Sequence, residues 1–218
     1  MSDCTITRAV RLLFPPQVAT AVSRIGRDHA LWPGEAIKAI PHRQAEFAAG
    51  RTAARAAMFR LGLPPVAIPM RPDRAPQWPS GIVGSISHSA GVALAAVAHR
   101  RDLTSLGIDI ERDSAVEPAL WPAICRPEEL ALLHSMSAPD ALVAATALFC
   151  AKEASYKAQY PLTGHDFDFD RLSVSFDGLR FAARFTQDTG LFPKGRAIEG
   201  RVGRVSGYML AAVTLTAM

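Results

Sequence analysis

Across residues 43–61 the apolar side chains Phe47, Ala54, Met58 and Leu61 recur at helical spacing within a narrow arc, which predicts an amphipathic helix. Arg51 and Arg55, one turn apart, flank that arc, and Gly62 stands where a helix commonly ends. Downstream the period changes. Residues 82–87 and 91–98 read as two short strands joined by a polar turn, His88-Ser89-Ala90. From Leu106 to Glu111 the alternation is strict: Leu106, Ile108 and Ile110 face one way, and Gly107, Asp109 and Glu111 the other. A second long helix is predicted from Asp140, read as its N-cap, to Tyr160, where Pro161 should stop it. On it Glu153 lines up with Leu142, Phe149 and Tyr160, the face expected to pack inward. Strand-like runs at 172–176, 179–185 and 208–215 follow, and the Pro- and Arg-rich stretch 69–81 reads as an irregular loop. Helices mixed with mostly adjacent short strands predict an α+β fold.

Composition narrows the class. With 218 residues, 49% hydrophobic and 20% charged, the chain can bury a core as one domain or two small ones. Apolar stretches such as 91–98 fall far short of the roughly 20 residues a membrane span requires. No charged-then-apolar leader is evident, and Cys4, Cys125 and Cys150 are scattered, without a C-x-x-C pair. A cytoplasmic protein with no membrane partner is expected. Residues 1–101 hold 13 Lys/Arg against 5 Asp/Glu, whereas 102–218 hold 11 against 15. A basic half (1–103) joined to an acidic half (104–218) suits a polyanion bridged through a metal ion, although uneven surface charge alone gives the same count. Without a dense basic tract or aromatics interleaved with basic residues, no nucleic-acid partner is expected.

Four groups of residues could carry chemistry. Asp109 and Glu111 share one strand face, where two like charges repel unless solvent or a cation separates them; hard oxygen donors favour Mg²⁺. A solvated acidic edge strand satisfies the same pattern. Glu153, on a packing face, needs a partner: Lys157 one turn on, or the same cation, in which case Lys157 and Lys152 turn toward phosphate. Ser87-His88 lies at a strand end without the G-x-S-x-G of a hydrolase elbow, leaving His88 as a turn residue or a phosphate donor. Arg43, Arg51, Arg55 and Arg74 are each solvated surface residues taken singly, and as a group a phosphate-binding set.

The ordered blocks Arg43-Gln44-Ala45-Glu46-Phe47-Ala48-Ala49-Gly50-Arg51, Trp78-Pro79-Ser80-Gly81, Gly84-Ser85-Ile86-Ser87-His88-Ser89, Gly107-Ile108-Asp109-Ile110-Glu111 and Lys152-Glu153-Ala154-Ser155-Tyr156-Lys157 resemble the 4'-phosphopantetheinyl transferases of the Sfp/enterobactin-synthetase component D type. The blocks span roughly residues 43–176; the first 40 match weakly. The resemblance implies a pseudo-two-fold arrangement of two similar α/β halves with coenzyme A between them. It also implies a monomer that loads an apo acyl or peptidyl carrier protein. By the same resemblance Asp109 and Glu111 are Mg²⁺ ligands, and Glu153 is a third ligand or the general base. Lys157 lies at the pyrophosphate with Lys152 assisting, Arg43 and Arg51 contact the 3'-phosphoadenosine, Arg74 assists from its loop, and Ser87-His88 contacts a coenzyme A phosphate. Ser89 stands where many relatives have cysteine and is expected to carry no chemistry.

Overall fold

A computed structural model describes residues 3–26 and 28–216. Strand β3 (Val92–His99) is apolar and buried along all but its last residue, so it belongs at the centre of a sheet. Strands β1 (Ala19–Arg24) and β2 (Ile82–Ser89) pair with it on either side, antiparallel. A second antiparallel sheet has the order β4-β8-β7-β6-β5, from β4 (Ser105–Arg112), β5 (Leu172–Asp177), β6 (Arg180–Phe185), β7 (Ala197–Val205) and β8 (Tyr208–Leu215). Each sheet carries one long helix: α2 (Pro41–Arg60) lies on the first and α5 (Ala138–Thr163) on the second. The fold is α+β, as the sequence predicts, with sheets of unequal size.

The opposite face is closed by α1 (Asp3–Leu13). Its Ile6 and Val10, at i and i+4, bury together with Leu94 of the first sheet and Leu106, Ile108, Ile110 and Leu210 of the second. One apolar layer therefore continues beneath both sheets. On the upper face α2 packs through Ala53, Ala54, Ala57 and Met58, and α5 through Ala151, Ala154 and Ala158. Small side chains let these helices approach closely. At Gly107 the approach is extreme: a Cβ there would lie 1.9 Å from the carbonyl oxygen of Ala154.

Several boundaries differ from the sequence reading. The β2–β3 turn is Ala90-Gly91, both at positive φ (44° and 85°), the two-residue geometry that matches strand twist. His88 and Ser89 consequently belong to the strand and not to the turn. Helix α5 is capped by Ser137, whose hydroxyl accepts from Asp140 N, rather than by Asp140. The helix also runs through Pro161, which falls in its last turn, and ends at Gly164 in the left-handed region (φ 65°). Its buried stripe is the alanine line, so Phe149, Glu153 and Tyr160 lie half-buried beside the core instead of within it. Helices α1, α3 (Trp121–Ile124) and α4 (Pro127–His134) and strands β1 and β7 were not anticipated.

Candidate active site

Strands β2 and β4 run side by side in the same direction where the two sheets meet, and serine side chains join them. Ser85 Oγ accepts from Ile108 N at 3.2 Å, Ser87 Oγ donates to Asp109 Oδ1 at 2.7 Å, and Ser89 Oγ donates to Glu111 Oε2 at 2.7 Å. The period of two that aligns the three serines on β2 thus meets the period of two that aligns the carboxylates on β4. Ser89, expected to carry no chemistry, orients Glu111; its place two residues beyond Ser87 was the available signal.

Helix α5 completes the cluster from above. Lys157 Nζ donates to Asp109 Oδ1 at 2.6 Å, lies 3.2 Å from Ser87 Oγ and stands 3.7 Å from Glu153 Oε2. Strand, strand and helix therefore bring Ser87, Asp109, Glu111, Glu153 and Lys157 together. Burial would lower the Lys157 pKa, but Asp109 and Glu153 together hold it above its usual value. Burial raises the pKa of Glu153, and Asp109 adds to the rise against the opposing pull of Lys157. Glu111 is likewise raised by burial and by repulsion from Asp109 and Glu153, partly offset by the Ser89 hydrogen bond.

One atom stands apart. Asp109 Oδ2 is buried without a hydrogen-bond partner, whereas Oδ1 receives both Ser87 and Lys157. Such a group costs about 1–3 kcal/mol unless something satisfies it. The unsatisfied oxygen and two carboxylates whose pKa is raised form an all-oxygen donor set of the kind a hard divalent cation prefers. Among the described residues, no three His, Cys, Asp or Glu side chains are already gathered around one metal position. The donor chemistry fits Mg²⁺, with Lys157 holding the charge balance here.

Across β2 the basic residues form a second cluster. Arg43 donates to His88 Nε2 at 2.8 Å and to Glu46 Oε2 at 2.9 Å, and His88 Nδ1 and His42 Nε2 lie 3.5 and 3.2 Å from Glu46 Oε1. An arginine can only donate, so His88 Nε2 accepts, its proton sits on Nδ1 and the ring is neutral. Burial lowers the His88 pKa and Arg43 lowers it further against Glu46, in keeping with that assignment. Glu46 was not singled out from sequence, although its i+3 and i+4 spacing from Arg43 and His42 marked it.

Other expected site residues are placed differently. Lys152 is fully buried; its Nζ donates to Glu129 at 2.6 Å, to the Ile124 carbonyl at 2.8 Å and to the Phe169 carbonyl at 3.2 Å. All three protons are used, so Lys152 does not turn toward phosphate as expected. Arg51 and Arg55 are buried, not solvated. Arg55 bonds Glu35, the Ala30 carbonyl and Thr52, and stacks on Trp32. Arg51 lies over Phe47 at 3.9 Å and donates through Nε to the Ile68 carbonyl; burial lowers its pKa to about 10. Each thereby secures a loop to α2. Arg74 is exposed at positive φ (67°) in the loop that Asp73 joins to Tyr160 of α5 at 3.3 Å. Two surface grooves of about 620 and 700 Å³ lie elsewhere on the second sheet and include none of the clustered carboxylates.

Comparison with known proteins covers both sides of this seam. Residues 33–98 match the family model described as the 4'-phosphopantetheinyl transferase N-terminal domain, and residues 105–211 match that of the 4'-phosphopantetheinyl transferase superfamily. The 4'-phosphopantetheinyl transferase Svp of Streptomyces mobaraensis is 41% identical over 199 residues, 86% of this chain and 79% of that protein. The 4'-phosphopantetheinyl transferase Npt of Nocardia iowensis is 36% identical over 188 residues, 81% and 84% of the two chains. Enterobactin synthase component D of Salmonella typhi is 42% identical over 119 residues, 53% of this chain and 48% of that protein.

Proposed function

Given that the chain belongs to the 4'-phosphopantetheinyl transferase superfamily, whose members are enzymes that load carrier proteins, we propose that it takes the 4'-phosphopantetheine arm from coenzyme A in a magnesium-dependent reaction. The acceptor is a serine of an apo acyl or peptidyl carrier protein, and adenosine 3',5'-bisphosphate leaves. The observation that carries this reading is the convergence of Ser87, Asp109 and Lys157 from three elements, with Asp109 Oδ2 buried and unsatisfied beside them.

The serine oxygen bonds to the β-phosphorus as the bond from that phosphorus to the leaving bisphosphate oxygen breaks. Glu153, whose pKa burial raises, is placed to take the serine proton. Lys157, held charged by Asp109 and Glu153, stabilises the negative charge that develops on the leaving phosphate. Asp109 and Glu111 would hold magnesium, with Glu153 as a third ligand where it does not serve as the base, and the ion would supply charge neutralisation at the diphosphate. Arg43 offers its remaining N–H groups to the nucleotide phosphates, with Arg74 available from its loop; His88 Nδ1 and Ser87 would join them by turning from Glu46 and Asp109. The basic half then holds nucleotide and the acidic half holds the metal, the division of labour proposed for residues 1–103 and 104–218. Because one chain supplies both sides of the seam, the reading favours a monomer. No helix among the described residues is long and apolar enough to cross a membrane.

The test is mass spectrometry of an apo carrier protein mixed with enzyme, coenzyme A and Mg²⁺. The carrier should gain one phosphopantetheine, Asp109→Ala should abolish the gain, and chelation should stop it. Consumption of coenzyme A without any carrier would instead indicate a phosphohydrolase and overturn the assignment.

A further inference from the structure

Lys152 and Glu129 form the most enclosed ion pair in the second half, with side chains 0% and 4% exposed. Beyond the three lysine hydrogen bonds, Glu129 accepts from Val174 N and Arg126 N, each at 2.8 Å. The pair thus ties α5 to the end of α3, the start of α4, the turn before β5 and β5 itself. A buried ion pair is a poor source of net stability, since apolar side chains of equal volume often serve as well or better. Its geometry gives it another use.

Each residue of a helix is turned about 100° from the last. Lys152 and Ala154 therefore leave α5 on nearly opposite sides, and Glu153 points between them. On Ala154's side the helix is wedged against Gly107, where no side chain fits. On Lys152's side it is gripped by the ion pair. Two contacts on opposite sides fix the rotation of the helix about its axis, and with it the direction of Glu153 and of Lys157 one turn on. We propose that Lys152 and Glu129 are positioning residues for transfer, their buried ion pair holding α5 in the rotation that presents Glu153 and Lys157 to Asp109. The inference rests on the proposed function of that site.

The full-length protein is tested as Lys152→Met, Glu129→Gln and the double variant. In the double variant the glutamine amide can still accept from Val174 N and can donate to a carbonyl the lysine leaves. Kinetics are measured where circular dichroism shows each variant folded, and coenzyme A binding is followed by calorimetry. Each single variant should lose about tenfold or more in kcat, as expected of a misplaced catalytic group. KM and Kd for coenzyme A should stay within about twofold, because both side chains are buried away from any bound ligand's reach. The double variant should recover part of the lost kcat. Undiminished kcat in the folded single variants would overturn the proposal, leaving the pair a packing feature. An approximately tenfold weaker Kd at unchanged kcat would also overturn it, returning Lys152 to phosphate contact. Should Lys152→Met fail to fold, Glu129→Gln carries the same comparison. Should the wild type load no carrier, the proposed function fails, while amide exchange across residues 149–157 still reads the ion pair: faster exchange in the variants supports the clamp, and unchanged exchange refutes it.

Discussion

Substituting Gly107→Ala probes the contact that sets the distance between α5 and β4. The added Cβ would meet the Ala154 carbonyl oxygen at 1.9 Å, with the Ala154 carbonyl carbon and Ala158 N each at 2.9 Å. All three are helix backbone, so no side-chain rotation can make room. Because a Cβ essentially never approaches closer than 3.0 Å, the helix must retreat by at least about 1.1 Å, and overpacking of this kind costs on the order of 3 kcal/mol. The retreat acts directly on the site, since the 2.6 Å contact of Lys157 with Asp109 opens to roughly 3.7 Å, beyond hydrogen-bond reach. Misplacement by about 1 Å can cost 10²-fold in rate. Urea unfolding should show the stability loss as a midpoint lowered by roughly 1 M, given an m-value near 3 kcal/mol/M. Transfer to an apo carrier, followed by mass spectrometry, should fall by about two orders of magnitude. Gly203→Ala, where the Cβ would meet only Leu13 at 3.5 Å, is the control and should stay within about 0.5 kcal/mol of wild type. Wild-type stability and rate in Gly107→Ala would show that α5 is not seated on β4 as described.

Two further substitutions test the electrostatics. A carboxyl whose pKa is raised on folding binds its proton more readily in the folded protein. Wild-type stability relative to Glu153→Gln should therefore rise as pH falls through the raised value, and level off below the ordinary 4.5. Melting temperatures of both proteins across that range, without metal, check the sign; a difference that shrinks or stays flat on acidification contradicts it. Arg55→Met strands the charge of the fully buried Glu35 carboxylate, which otherwise takes two contacts from Arg55 at 2.6–2.7 Å and one each from Ile68 N and Trp32 N. A loss of roughly 3–5 kcal/mol in urea unfolding is expected, largely recovered by adding Glu35→Gln; a loss below 1 kcal/mol would refute the role of the pair.

Strands reveal their chemistry to a sequence reader more readily than helices do, and this chain shows why. A period of two admits one assignment of faces, so the alternation at 106–111 places Asp109 and Glu111 together and opposite Ile108. On α5 the same reasoning makes the large residues Phe149 and Tyr160 the inward face. The helix instead buries its alanines, because Gly107 lets it sit too close to the sheet for anything larger. That shift moved Glu153 to the edge of the cleft and put Lys152 into the core. Lys152, Glu129, Arg55 and Glu35 were misjudged or passed over for a shared reason. Their ion-pair partners lie 20 and 23 residues away, and only folding makes each pair neutral enough to bury. The α1 helix leaves only a sparse trace in the sequence, Ile6 and Val10 one turn apart.

The location of the candidate site follows from how the two sheets meet. Had β2 and β4 joined through a backbone ladder, each side chain would point above or below one continuous sheet. Here three serines bridge the strands, and their hydroxyls are spent on Ile108 N, Asp109 and Glu111. Side chains of both strands therefore enter one narrow seam under α5. Packing charged groups so closely raises the pKa of Glu111 and Glu153 and leaves one Asp109 oxygen unsatisfied. A fold selected for stability alone has cheaper ways to close such a seam, with apolar side chains for example. Unresolved charge concentrated where two halves of one chain meet, with basic residues on one side and carboxylates on the other, is an arrangement that a diphosphate and its cation would complete.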